Sequence, residues 1–81
     1  MLQELKNAEQ KLVGSKQVLK ALKTGELKRV YLAKDADEDL FHEILTTAAE
    51  NGVDCVFVSS KKELGEICGI EVKAACAALK K

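Results

Sequence analysis

The chain has no proline and no tryptophan, a single histidine, and only three other aromatic residues, Tyr31, Phe41 and Phe57. Each scarcity excludes something. With no proline and no Gly/Ser-rich or low-complexity tract there is no linker and no repeat, so the 81 residues read as one domain over 1–81. No apolar run approaches the roughly 18 residues a membrane-crossing helix needs. The opening Met1-Leu2-Gln3-Glu4-Leu5-Lys6-Asn7 lacks the apolar stretch of a signal peptide. A cytoplasmic protein with no membrane partner is the expectation.

Catalytic groups are equally scarce. One histidine, no nucleophile beside a base and no carboxylates at metal-like spacing leave nothing to assemble into an active site, so no enzyme is expected. Cys55, Cys68 and Cys76 are odd in number, contain no C-x-x-C pair and lie far in sequence from His42. Zinc sites draw on close-spaced ligand pairs, so these thiols read as small hydrophobes, and no metal or cofactor is expected. Gly65 and Gly69 do not follow a strand as a phosphate loop requires. Asp35 and Asp37 read as turn and cap residues, and His42 as an exposed residue of an acidic helix. Tyr31 and Phe57 fall in expected strands and Phe41 on an expected apolar helix face. That leaves no aromatic platform for stacking single-stranded bases.

What is present is a division of charge. Net charge is zero, yet residues 11–34 carry seven cations (Lys11, Lys16, Lys20, Lys23, Lys28, Arg29, Lys34) against Glu26 alone. Residues 35–54 carry seven acids and no Lys or Arg. A neutral molecule polarised in this way can still offer a positive face to phosphates. Two solvated helix faces would give the same composition, so charge alone leaves both readings open.

Hydrophobic periodicity orders the elements. Residues 2–12 read as a helix with Leu2, Leu5 and Leu12 inward, followed by a short extended piece at Val13-Gly14. Ser15 is the expected N-cap of a helix from Lys16 to Thr24, closed by Gly25. Val30-Tyr31-Leu32-Ala33 and Val53 to Val58 are apolar runs of strand length, suited to a sheet covered on both faces. Between them Asp37 caps a helix to Glu50. Ser60-Lys61-Lys62-Glu63 has the form of a capping box opening a short helix that Gly69 ends. Ala74 to Leu79 reads as a last, central strand, although its alanines favour helix by propensity. Helices alternating with buried strands give an α/β fold, a three-layer α-β-α sandwich with a four-stranded mixed sheet.

The 14–25 segment is the candidate recognition element. At about 100° per residue, Lys16, Lys20 and Lys23 fall within roughly 60° of one another, opposite Val18, Leu19, Ala21 and Leu22. An ordinary surface helix would mix acids among these lysines for i,i+4 pairing. Gly14 and Ser15 lie at the N-terminus, where free N–H groups favour negative charge and glycine permits close approach. A second candidate is the loop Gly69-Ile70-Glu71-Val72-Lys73. Its Ile70 and Val72 either pack against a splayed base or tuck into the edge of the core.

Three ordered pieces carry a resemblance: Gly14-Ser15-Lys16-Gln17-Val18-Leu19-Lys20-Ala21-Leu22-Lys23-Thr24-Gly25, then Ala33-Lys34-Asp35-Ala36-Asp37, then Leu64-Gly65-Glu66-Ile67-Cys68-Gly69-Ile70-Glu71-Val72. Together they resemble the kink-turn RNA-binding ribosomal proteins, the L-seven-Ae / L-thirty-e superfamily, and among them the small bacterial stand-alone members. The resemblance implies an α-β-α sandwich that binds kink-turns, helix–bulge–helix elements with tandem sheared G·A pairs. It implies that Gly14, Ser15, Lys16, Gln17 and Lys20 approach the G·A pairs and nearby phosphates, and that Ile70, Glu71 and Val72 cover the bulge. Lys23 and Lys34 join this set from the lysine stripe and the second motif. Archaeal members carry Asn-Glu where this chain has Lys16-Gln17, a pair similar to the bacterial branch. The expected partner is structured RNA with a kink-turn, ribosomal or riboswitch, with the large ribosomal subunit as one setting and the protein acting as a monomer. The alternative is a protein-interaction module of the same fold.

Overall fold

The computed structural model describes Leu5 and residues 11–81. In chain order the elements are β1 (Lys11–Val13), α1 (Ser15–Thr24), β2 (Leu27–Ala33), α2 (Glu38–Glu50), β3 (Asp54–Val58), α3 (Lys61–Ile67) and β4 (Cys76–Lys80). The strands form one sheet in the order β1-β4-β2-β3. β4 runs antiparallel to both its neighbours and β3 runs parallel to β2, so the sheet is mixed.

Alternation along the strands builds two cores. Val30, Leu32, Cys76 and Ala78 face α1 and α2, packing on Val18, Leu22, Ile44 and Ala48. Tyr31, Ala33, Ala77 and Leu79 face the other way, onto Leu64 of α3, onto Cys68 just past its end and onto Leu5, which is helical and fully buried. This is the expected α-β-α sandwich. It also explains why an alanine-rich segment is a strand. β4 is covered on both faces, and burial between two strands overrides intrinsic helix preference.

Several boundaries differ from expectation. Lys11 and Leu12 belong to β1, not to the end of a helix, because they pair with Leu79 and Ala78. The remainder of the expected 2–12 helix, apart from Leu5, lies outside the described residues. β2 begins at Leu27 rather than Val30, since a bulge between Leu27 and Arg29 lets the earlier residues join the ladder to β4. β3 starts at Asp54, and β4 spans Cys76–Lys80 rather than 74–79. Asp37 caps α2 by accepting the Asp39 N–H at 3.0 Å, and Ser60 caps α3 by accepting the Glu63 N–H at 3.1 Å. Among the described residues no helix is long and apolar enough to cross a membrane.

Candidate nucleic-acid interface

One end of the sheet gathers the three motifs. β1 and β2 finish there and β4 begins, and the connections are tied by backbone bonds. The Gly14 N–H donates to Cys76 O at 3.1 Å, Ala33 N–H to Ala75 O at 2.9 Å, and Lys34 N–H to Val58 O at 2.8 Å. Lys61 N–H reaches Asp35 Oδ1 at 2.7 Å, and Ala74 N–H reaches Lys61 O at 3.1 Å. The start of α1, the β2–α2 turn and the loop after α3 are therefore neighbours held by a continuous lattice of hydrogen bonds.

The expected Ser15 cap is a correction. Gly14 occupies the N-cap position with φ 111 and ψ 143, Ser15 is already helical, and no side chain caps the first turn. Only glycine adopts that backbone readily, so the turn from β1 into α1 depends on it. A Cβ at Gly14 would meet nothing within 4 Å, which leaves its α-carbon as bare surface beside the free N–H groups of the first turn. No acid stands in that turn.

Lys16, Gln17, Lys20 and Lys23 are all exposed on α1, while Val18, Ala21 and Leu22 are buried beneath them. Among the described residues none of these lysines, nor exposed Lys34, has a carboxylate partner within 4.0 Å. Their positions along the helix differ. At 1.5 Å per residue Lys20 lies about 9 Å beyond Gly14 and Lys23 about 13 Å beyond it. Lys20 and Gln17 line a groove of about 390 Å³ that runs along α1 past Thr24 to Glu26 and Lys80. Lys23 instead sits in the last turn, near Gly25, at the far end from the loop.

The loop resolves its two readings differently for two residues. Just past the Cys68 cap of α3, Gly69 adopts φ 76; the Gly69 N–H donates to Glu66 O and the Ile70 N–H to Gly65 O, both at 3.1 Å. This Schellman closure turns Ile70 back onto the α3-side core, where it is half-buried. Val72 stands out, 69% exposed. Between them a pocket of about 270 Å³ is lined by Lys62, Glu66, Ile70, Val72 and Lys73. Glu71 is exposed at its rim.

Some features escaped the sequence. Gly65 is buried in α3 with the backbone of Val72 and Lys73 directly against it, so a methyl there would collide with the Val72 carbonyl oxygen. Lys62 and Lys73 add charge beside the loop. Phe57, expected inside, is 45% exposed because β3 is an edge strand, and it stacks on Phe41. The cysteines are free; burial pushes the Cys55 and Cys68 thiols up, and Cys76, deepest in the sheet, up to about 12. Cys68 and Cys76 are buried and Cys55 is half-buried, so all three pack as small hydrophobes.

The family model for the ribosomal protein L7Ae/L30e/S12e/Gadd45 family matches residues 1–81. An RNA-binding protein of Bacillus pumilus is 43% identical over 76 residues, covering 94% of this chain and 93% of that protein. An RNA-binding protein of Caldanaerobacter subterraneus is 44% identical over 68 residues, covering 84% and 83%. Among solved structures, the Giardia lamblia 15.5 kD RNA-binding protein superposes with a TM-score of 0.81 at 26% identity, over 99% of this chain and 68% of that one.

Proposed function

Because the chain belongs to the ribosomal protein L7Ae/L30e/S12e/Gadd45 family, we propose that it is a non-catalytic RNA-binding protein that recognises and stabilises kink-turn elements. It acts as a cytoplasmic monomer within ribonucleoprotein particles, the large ribosomal subunit being one setting. The observation that carries the reading is the convergence at one sheet end of bare Gly14, the cations Lys16 and Lys34, and exposed Val72. In this reading the uncapped first turn of α1, with Ser15, Lys16 and Gln17, meets the sheared G·A edges. Lys20 and Lys34 offset phosphate repulsion at the sharp bend, Lys23 contributing at longer range. Ile70, Glu71 and Val72 cover the bulged nucleotides. The kinked conformer is stabilised because only that conformer reaches all three surfaces together.

The test is a titration of a kink-turn RNA against the same RNA with its tandem G·A pairs replaced by Watson–Crick pairs. Tight binding to the first alone is expected, with a log–log salt slope of roughly −2 to −4 from three or four phosphate contacts. Binding that ignores salt and depends only on Ile70 and Val72 would instead favour the protein-interaction module.

A further inference from the structure

The outer edge of β3, whose last residue Val58 accepts from Lys34 N–H, faces away from β2 and carries features that RNA binding does not use. Among the described residues β3 pairs only with β2, in unbroken register from Arg29–Asp54 to Ala33–Val58. In a parallel ladder alternate residues turn both amide groups to the same side. The Val58 carbonyl faces inward to Lys34, so Cys55 and Phe57 turn their N–H and C=O groups to the open side. Sheet edges are commonly blunted by lysine, proline, a bulge or short length. Asp54-Cys55-Val56-Phe57-Val58 has no lysine, proline or bulge, whereas the opposite edge, β1, has three residues and begins with Lys11.

A half-exposed aromatic marks the same edge. Phe57 stacks on Phe41 with ring centroids 5.7 Å apart and planes 12° from parallel, and Phe41 meets His42 edge-on at 6.0 Å. The fringe carries exposed acids: Asp54 opens the strand in register with Arg29, and Glu38 lies on the Phe41–His42 side of α2, 3.9 Å from His42 Nε2. Residues 35–54, which form α2 and the start of β3, carry no Lys or Arg.

We propose that the edge of β3 is a docking site for an extended, arginine- or lysine-rich segment of a partner protein, which adds as a fifth strand and lays an apolar or guanidinium group on Phe57. Charge decides the occupant. Phosphates are repelled by Asp54 and Glu38, and a second copy paired edge to edge would set two acidic fringes against each other. A basic strand satisfies the open amides, the aromatic face and the fringe at once.

The experiment is an amide NMR titration of the full chain with an end-blocked peptide alternating arginine and valine, alongside one alternating glutamate and valine. The basic peptide is expected to shift the Cys55, Phe57 and Ser59 amides and slow their solvent exchange, and the acidic peptide to do neither. Phe57→Ser and, independently, Asp54→Lys are each expected to weaken the interaction roughly tenfold. The proposal would be overturned by no shifts with the basic peptide, by shifts confined to α1 and the 69–73 loop, or by equal response to both peptides. Broadening of the β3 amides with protein concentration alone would also overturn it, by assigning the edge to a second copy.

Discussion

The carbonyl of Val72 rests on the α-carbon of Gly65: a Cβ built there would lie 3.2 Å from the Val72 carbonyl carbon and 3.4 Å from Lys73 Cα. The loop of the proposed interface is thus seated directly on α3. Gly65→Ala is expected to push residues 70–73 outward. Overpacking of this kind costs about 1–3 kcal/mol, only partly offset by the better helix propensity of alanine. Paired thermal unfolding and RNA titration should show a modest loss of stability and a roughly tenfold loss of affinity. Unchanged affinity would detach the loop from the binding surface.

Lys20→Glu and Lys23→Glu separate the two ends of α1. Both side chains are exposed, so each variant should stay within about 0.5 kcal/mol of the parent in urea unfolding. Lys20→Glu should weaken RNA binding and reduce the salt slope by about 1, while Lys23→Glu, some 13 Å along the helix from Gly14, should do less. The reverse order would move the interface to the other end of the helix.

Ile70 and Val72 offer a contrast within one loop. Val72→Ser removes an apolar group that is 69% exposed and should leave stability unchanged while weakening RNA binding. Ile70→Ser exposes a seat on the α3-side core and should destabilise the protein by about 1–3 kcal/mol as well. Denaturation midpoints and RNA affinities of the pair, measured together, check this directly.

Asp35 joins the β2–α2 turn to the first residue of α3 through its 2.7 Å bond from Lys61 N–H. Asp35→Ala should cost about 1 kcal/mol, as the loss of a helix cap does. It should also raise the exchange rate of the Lys61 amide. Asp35→Asn keeps an acceptor oxygen and is expected to recover most of the loss.

The buried thiols set an alkaline limit. Cys76 is raised from 9.0 to about 12 by burial, reinforced by its neighbours Cys55 and Cys68. Between those values the unfolded chain has released a proton that the folded state still holds. Stability is therefore level below about pH 8 and declines as pH rises from 9 toward 12. Urea unfolding at about pH 7 and about pH 10.5 should show the decline, and Cys76→Ala should reduce it, Cys55 and Cys68 still contributing, although its stability at neutral pH is lower. An equal decline in both proteins would assign the effect to other groups.

Much of this was legible in the sequence because it is local. Asp37 and Ser60 announce helix starts through side chains that reach two or three residues ahead, and Gly25 and Gly69 announce ends through a backbone few other residues adopt. The buried run Val30–Ala33 and the strand Cys55–Val58 are visible as unbroken apolar stretches. What stayed hidden depends on tertiary position. Ser15 and Gly14 are both good caps, and the bond from Gly14 N–H to Cys76 O decides between them across 62 residues of sequence. Phe57 looks like core until the strand order puts β3 at the edge. Lys20 and Lys23 are equivalent on a helical wheel; the rise along α1 separates them, and only the tertiary fold says which end of the helix meets the 69–73 loop. Gly65 reads as an ordinary helix weakness until the Val72 backbone is seen resting on it.

β4 lies between β1 and β2, though it is the latest of the four strands to leave the ribosome during synthesis. Until residues 76–80 emerge, β1 has no partner, Gly14 has no carbonyl to bind, and both cores lack their middle wall. A nascent chain can form the parallel β2–β3 pair early, but the proposed RNA-binding end assembles only once β4 is inserted between strands already waiting for it.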